Sequence, residues 1–219
     1  MAEPPSLNWN WRRSWKPMGN KAKMTAALGM LVSIASINTT VMAANAYSID
    51  GAVYRIEIKD GPVMHAGTGV LIGKNKILTN CHVVRHNGTF EVINRKTGNR
   101  YPTSSYRNLG SLDACVLEGP YFEGQPVAIN TNFKNGETVW AYGYPNSYTA
   151  MSQGVMVGML KTQVGIVMQT TSFCNPGSSG GPLVNVSGEI IGLIFGVKTE
   201  YRDHCLAIPM ADILATGHL

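Results

Sequence analysis

Short apolar and β-branched runs, separated by turn residues, recur along the sequence from Tyr47 onward. There are eleven: AVYRIEI, TGVLIG, KILTN, TFEVIN, LDACVLE, ETVWAYG, VMVGMLK, VGIVMQT, GPLVNV, EIIGLIFGV and CLAIP. Each has the length of a strand, and glycine is frequent enough, at 24 of 219 residues, to supply the turns between them. Many short strands with regular turns are typical of closed β structure, so we predict an all-β fold. Only the tail that starts at Pro209, PMADILATGHL, predicts a helix.

The first 46 residues have the pattern of an export signal. Basic residues between 12 and 23 precede the apolar run MTAALGMLVSIASI (24–37), and the small residues Ala44-Asn45-Ala46 follow it. We predict a signal peptide over 1–46, translated from Met1 or from Met18 and cleaved before Tyr47, with delivery to the periplasm or the extracellular space by the general secretory or the twin-arginine route. The alternative is a membrane anchor formed by residues 24–44, although the run of 14 apolar residues is shorter than the ~20 that span a bilayer.

The positive charge of the chain lies largely in this signal. Five of the 18 basic residues and one of the 13 acidic residues belong to 1–46, so the net charge of +5 falls to +1 for the remainder. The remaining Lys and Arg residues are scattered and form no basic stripe interleaved with aromatic residues. We therefore predict no nucleic-acid partner, and membrane contact only if the signal stays attached.

No repeat, low-complexity segment or Gly/Ser linker divides the chain after Tyr47. The segment NTNFKNG (130–136) is rich in turn residues and suits a connection between two halves, about 47–130 and about 131–219. We expect no further folded domain after Leu219.

The turn sequence CNPGSSGGPLVN (174–185) places Ser178 and Ser179 among glycines and prolines. A serine attacks a carbonyl when a base takes its proton and N–H donors await the oxyanion, which requires a tight, exposed turn. With Ser179 as nucleophile, the N–H groups of Gly177 and Ser179 can converge on one point. The alternative is an ordinary glycine-rich turn.

Two further residues are of the chemical types that a nucleophilic serine needs, a base and an acid. His82, in ILTNCHVV, follows a predicted strand directly and can act as base; alternatively it is a structural histidine, or joins His86 or Cys81 in a zinc site. Asp113, in GSLDACVLE, heads an apolar strand and can hold an imidazole in the right tautomer, or is simply an exposed residue at a strand end.

Taken together, the order His82, Asp113, Ser179 in a β-rich chain resembles the chymotrypsin-like serine proteases, most closely the HtrA/Deg group. The resemblance runs from about Val53 to Asp212. It includes GTGVLI, VWAYGYPN, SQGVMVGML, the pair Gln169-Thr170, NPGSSGGPLVN and GEIIGLIFG.

This resemblance implies two packed six-stranded β-barrels with a catalytic triad in the cleft between them. It implies His82 as general base, Asp113 as the residue that orients it, Ser179 as nucleophile, and the N–H groups of Gly177 and Ser179 as oxyanion hole. It further implies a serine endopeptidase that acts on peptides or unfolded proteins without a cofactor or metal. A catalytically inactive relative that binds peptides is the alternative.

The sequence departs from the family in three places. No PDZ domain is expected after the protease domain. Ser178 stands where trypsin-type enzymes carry the Asp that receives a new N-terminus. Cys81 precedes the histidine, whereas digestive enzymes place a cysteine just after it.

By the same resemblance, the pocket for the residue before the scissile bond is lined by Phe173, Cys174 and Ile194-Phe195-Gly196. These residues carry no Asp or Glu, which favours a small or medium apolar side chain. Alternatively they are barrel core.

The four cysteines suit an oxidising compartment. As a hypothesis we pair Cys81 with Cys115, because each adjoins a residue of the implied triad, and Cys174 with Cys205, because both flank the implied pocket. Four buried free thiols are the alternative.

Overall fold

The computed structural model describes residues 48–85, 89–103, 105–119, 121–145, 148–162, 165–198 and 201–219. The predicted signal peptide and its cleavage site before Tyr47 lie outside these ranges. Strands dominate the described part of the chain, so the predicted all-β fold is confirmed. None of the helices within the described ranges is long and apolar enough to cross a membrane.

The first seven strands form one antiparallel sheet in the order β5-β4-β1-β2-β3-β7-β6. Their bounds are Val53–Asp60 (β1), Val63–Gly73 (β2), Lys76–Thr79 (β3), Thr89–Asn94 (β4), Arg100–Thr103 (β5), Tyr106–Asn108 (β6) and Cys115–Glu118 (β7). A one-turn helix, Cys81–Val84 (α1), follows β3, and a 3-10 turn, Asp50–Ala52, precedes β1. The two edge strands β5 and β6 are consecutive, with only residues 104 and 105 between them, so one short chain segment links both edges of a curled sheet.

The last six strands form a closed barrel in the order β10-β13-β12-β11-β8-β9. Their bounds are Thr138–Gly143 (β8), Ala150–Thr162 (β9), Gly165–Thr170 (β10), Pro182–Val184 (β11), Ile190–Lys198 (β12) and Tyr201–Pro209 (β13). The predicted C-terminal helix is present as Met210–Ala215 (α2), directly after Pro209. A closed barrel beside a curled sheet matches the double-barrel architecture that the resemblance implies. The first half differs from the expected six-stranded barrel because it has seven strands, with Arg100–Thr103 (β5) and Tyr106–Asn108 (β6) as separate short strands.

Strand β8 contributes to two hydrophobic clusters. Val139 and Ala141 pack inside the barrel, whereas Trp140 and Tyr142 belong to a larger cluster that also includes β1, β2 and β3. This alternation follows from the two-residue period of a strand. The Tyr142 hydroxyl also donates to Asp50 Oδ1 at 2.6 Å, which ties β8 to the start of the first sheet.

Candidate active site

His82 lies on α1, directly after β3, and the pairing of β3 with β7 brings it to Asp113. Strand β3 pairs with β7 in a register that sets Thr79 opposite Cys115, so the residues just after β3 meet the residues just before β7. In α1 the side chains of Cys81, Val83 and Val84 are buried and that of His82 is exposed. The apolar residues therefore anchor the helical turn and direct the imidazole outward.

Asp113 contacts His82 twice. Its Oδ2 lies 2.5 Å from His82 Nδ1, and its Oδ1 accepts the His82 backbone N–H at 2.9 Å. The Asn80 side chain donates to the Asp113 carbonyl at 2.7 Å and holds the backbone at this point. These contacts give the imidazole one orientation and leave Nε2 as the nitrogen that faces away from the carboxylate.

The environment of Asp113 favours its ionised form. Burial raises the pKa of the carboxyl, but the hydrogen bonds from the His82 ring and backbone, together with the charges of His82 and Arg85, outweigh burial and lower the pKa below its ordinary value. A carboxylate at this position therefore stays available to hold Nδ1–H at neutral pH.

The turn around Ser179 depends on two glycines with positive φ. Gly177 has φ of 99° and Gly180 has φ of 85°, values that favour glycine. A Cβ on Gly180 would also overlap the Thr68 carbonyl oxygen. Within the turn, Ser178 N–H donates to Asn175 O and Gly181 N–H donates to Ser178 O, both at 2.9 Å. Among the described residues, no backbone hydrogen bond of this turn uses the N–H groups of Gly177 and Ser179.

Thr68, on β2, is a site residue to which the sequence alone assigned no role. Its hydroxyl donates to Gly177 O at 2.6 Å and accepts from Tyr144 N at 3.0 Å, and its backbone N–H donates to Ser179 O at 2.8 Å. Thr68 is fully buried. The polar side chain of Thr68 inside the run GTGVLI could have indicated a role, but its hydrogen-bond partners lie far away in the sequence.

His82 and Ser179 border the same cavity. This cavity, about 240 Å³, is lined on one side by β1, β2 and α1 and on the other by Pro176, Gly177 and Ser179. The structure thus brings the predicted base, nucleophile and both oxyanion-hole residues to one place, with Asp113 behind the imidazole.

A second cavity of about 260 Å³ also borders Ser179 and shares Pro176 with the first. Three residues predicted for the specificity pocket, Cys174, Ile194 and Gly196, line it, and no Asp, Glu, Lys or Arg is among its described lining residues. Phe173 and Phe195, also predicted, do not line it.

The two phenylalanines have other positions. Phe173 is half exposed at the surface. Phe195 is skipped by the pairing of β12 with β13, in a β-bulge, and packs against the larger hydrophobic cluster. Asn175 and Val197 line the cavity in addition and were not predicted.

Both disulfides expected from the sequence are present. Cys81 is bonded to Cys115 with a Cα–Cα distance of 4.9 Å, and Cys174 to Cys205 with 5.5 Å. One bond lies beside His82 and the other forms part of the wall of the 260 Å³ cavity. Cys81 is therefore not available as a metal ligand, and His86 lies outside the described residues.

Residues 67–193 match the family model described as Trypsin-like peptidase domain, which covers more than half of the chain. The chain belongs to this family. One curated relative is HhoA from Synechocystis sp., which is named as a serine protease. It is 27% identical to this chain over 178 residues, which cover 73% of this chain and 44% of HhoA. The chain thus spans less than half the length of that relative.

Solved structures of proteases share the fold. The HtrA-type protease AlgW with tripeptide is 22% identical, with a TM-score of 0.70 over 80% of this chain and 61% of that chain. The active form of the Rv3671c protease from M. tuberculosis is 19% identical, with a TM-score of 0.72 over 97% of this chain and 92% of that chain. The resemblance of the trypsin-like domain to HtrA-type proteases, predicted from the sequence, is confirmed.

Proposed function

We propose that the protein is an exported serine endopeptidase that forms an acyl-enzyme on Ser179. The observation that carries the proposal is the shared cavity of His82 and Ser179, together with the 2.5 Å contact between His82 Nδ1 and Asp113 Oδ2. Membership of the trypsin-like peptidase family supports the same chemistry.

In this mechanism His82 moves one proton in each half-reaction. Asp113 holds Nδ1–H, so Nε2 takes the Ser179 proton as Oγ bonds to the scissile carbonyl carbon. The imidazolium then gives this proton to the leaving amine as the C–N bond breaks. Water, activated by the same nitrogen, hydrolyses the acyl-enzyme and restores Ser179.

Gly177 and Ser179 provide the oxyanion hole through their backbone N–H groups. The Ser178 carbonyl accepts from Gly181 N–H, and the N–H and C=O of one trans peptide point in opposite directions. The Ser179 N–H therefore points away from Gly181, toward the outer side of the turn. Donors held in place before the reaction stabilise the oxyanion without reorganising when it forms.

The substrate is a peptide or an unfolded protein segment. The 260 Å³ cavity, with Cys174, Ile194 and Gly196 in its wall, receives the side chain that precedes the scissile bond and favours a small or medium apolar residue. AlgW, a structural relative, was solved with a tripeptide.

We further propose that the protease domain begins at Tyr47, after a signal peptide over 1–46, and that its two halves meet near 130. Two disulfides suit the oxidising environment of the periplasm or the extracellular space.

The test is active-site labelling of the protein that starts at Tyr47 with a fluorophosphonate probe. Wild type is expected to be labelled once, on Ser179, and Ser179→Ala not at all. Ser178→Ala is the matched control, because it removes the neighbouring hydroxyl and keeps the proposed nucleophile. Labelling of Ser179→Ala, or loss of labelling in Ser178→Ala alone, would contradict the assignment of Ser179 as nucleophile. A wild-type protein that is not labelled would favour the alternative, a peptide-binding relative without activity.

A further inference from the structure

Asn80 lies directly before α1, where an asparagine side chain normally accepts the N–H of the second or third helical residue. Among the described residues, its side chain makes no such capping bond. Its Nδ2 donates instead to the Asp113 carbonyl at 2.7 Å. The N–H of the second helical residue, His82, is accepted by Asp113 Oδ1 at 2.9 Å. Asp113 therefore caps α1, and Asn80 holds the backbone of the residue that provides the cap.

Both carboxylate oxygens of Asp113 depend on where its backbone lies. Oδ1 accepts the backbone N–H of His82, and Oδ2 lies 2.5 Å from Nδ1 of the same residue. Among the described residues, no hydrogen bond other than that from Asn80 reaches the Asp113 carbonyl. Because the carboxylate is attached to this backbone, a shift of the Asp113 backbone would move both oxygens away from His82 together.

The amide of Asn80 is buried with only one of its two polar atoms satisfied. Asn80 is fully buried, and its Oδ1 meets no hydrogen-bond donor in the described part of the chain. The Asp113 carbonyl can only accept, so this bond sets Nδ2 toward Asp113 and leaves Oδ1 without a partner. A buried acceptor without a partner lowers stability. Stability alone therefore does not explain an asparagine here, whereas the contact with Asp113 does.

The backbone of Asn80 is fixed by its neighbours on two sides. It follows Thr79, which pairs with Cys115 of β7. On the other side lies the turn of Ser179, where a Cβ on Gly180 would come within 3.1 Å of the Asn80 backbone nitrogen. The side chain of Asn80 thus extends from a fixed point between β7 and this turn to the Asp113 carbonyl.

We propose that Asn80 is a positioning residue: its amide holds the backbone of Asp113 so that the carboxylate keeps both contacts with His82. This role rests on the proposed function, in which Asp113 holds Nδ1–H while Nε2 moves the proton. Asn80 is not among the described residues that line either cavity beside Ser179. It therefore acts through Asp113 and not on the substrate.

The experiment measures kcat and KM of the full chain with an internally quenched peptide that has Val before the cleaved bond, and the rate constant of fluorophosphonate labelling. Rates are expressed per folded molecule, with the folded fraction taken from circular dichroism. Asn80→Ala should lower kcat about 10- to 100-fold, the scale of a misplaced catalytic group, and leave KM close to wild type. Asn80→Asp keeps the size but replaces the donor by an acceptor, so it should lower kcat as well. The labelling rate should fall by a similar factor in both variants.

A second background tests whether Asn80 acts through Asp113. In Asp113→Ala the carboxylate is absent, so adding Asn80→Ala should cause no further loss of kcat. Ser179→Ala provides the background rate for these measurements. A loss of the same factor with and without the Asp113 carboxylate would overturn the role of Asn80.

Asn94→Ala is the matched control. Asn94 is a buried asparagine of β4, and its Oδ1 accepts the backbone N–H of Lys96 at 3.0 Å, away from the candidate site. Its replacement should lower the free energy of unfolding and leave kcat per folded molecule as in wild type. A kcat that falls equally in the Asn94 and Asn80 variants would mean that loss of any buried amide has this effect, which would also overturn the role.

The remaining outcomes separate the two proposals. Wild type that reacts with fluorophosphonate, together with Asn80 variants of unchanged kcat and labelling rate per folded molecule, overturns only the role of Asn80. Variants that do not fold at all would make Asn80 a residue required for folding and would overturn its positioning role too. Wild type that neither cleaves the peptide nor reacts with fluorophosphonate overturns the proposed function and the role of Asn80 together.

Discussion

The hydroxyl of Thr68 donates to the carbonyl oxygen of Gly177, 109 residues away in the sequence, at 2.6 Å. The same hydroxyl accepts the Tyr144 N–H. One buried side chain of the first sheet thus holds the turn before Ser179, which belongs to the barrel.

Thr68→Val should destabilise the protein and disturb this turn. Valine keeps the shape but removes the hydroxyl, so the carbonyl of Gly177 and the buried N–H of Tyr144 both lose a partner. Leaving buried groups unsatisfied costs about 1–3 kcal/mol. Urea unfolding measures the loss, and the rate of fluorophosphonate labelling should fall as well. Thr68→Ser, which keeps the hydroxyl, is the control, and equal stability of the valine and serine variants would argue against this role.

Asp113→Asn should make stability less sensitive to acid. The folded protein holds the pKa of Asp113 below its ordinary value, which is about 3.9 in an unfolded chain. The unfolded state therefore binds the proton first as pH falls, and the stabilisation present above about pH 4 is lost as pH approaches the folded pKa.

Urea unfolding from pH 7 down to pH 3 measures this effect. Wild type is expected to lose more free energy of unfolding than Asp113→Asn over the acid end of the series. Glu123 and Glu189 also have lowered pKa values through their hydrogen bonds, but both proteins keep them, so the difference reports Asp113. Parallel curves for the two proteins would contradict the prediction.

Each disulfide should contribute separately to stability. The bonds close loops with sequence separations of 34 and 31 residues. Closing a loop of this length restricts the unfolded chain and so stabilises the folded protein by about 3–4 kcal/mol per bond. Two double variants test this, Cys81→Ser with Cys115→Ser and Cys174→Ser with Cys205→Ser. Each should lower the free energy of unfolding by about this amount. Non-reducing peptide mapping of wild type checks the pairing, which a Cys81–Cys174 peptide would refute.

Activity should not require a newly formed N-terminus. In trypsin-type zymogens an Asp before the nucleophile receives a new amine, but here that position is the buried Ser178, whose Oγ lies 3.4 Å from Asn175 N. A hydroxyl contact contributes about 0.5–1.5 kcal/mol net, too little to draw a charged amine out of water. Protein with an unrelated tag before Tyr47 should hydrolyse peptides at nearly the rate of protein that starts at Tyr47. Activity that appears only after the tag is cut off would refute this.

The β-rich architecture could be predicted because short apolar runs between turn residues indicate strands. The approach of His82 to Asp113 could be predicted because several motifs at the expected separations resemble those of chymotrypsin-like proteases. The pocket was predicted less well, because Phe195 occupies a β-bulge and a one-residue shift in pairing changes which side chains point into a cavity. The role of Thr68 was not predicted, because a hydrogen bond between distant segments produces no local sequence pattern.

Strand β8 has a consequence for how the chain folds. Since Trp140 and Tyr142 pack with the first sheet while Val139 and Ala141 pack inside the barrel, neither cluster is complete without this strand. A fragment that ends near 130 would leave apolar surface of β1 and β2 uncovered, and a fragment that starts there would expose two aromatic rings. We therefore expect one cooperative unfolding transition instead of two. The geometry around Ser179 then persists or disappears together with the whole double barrel.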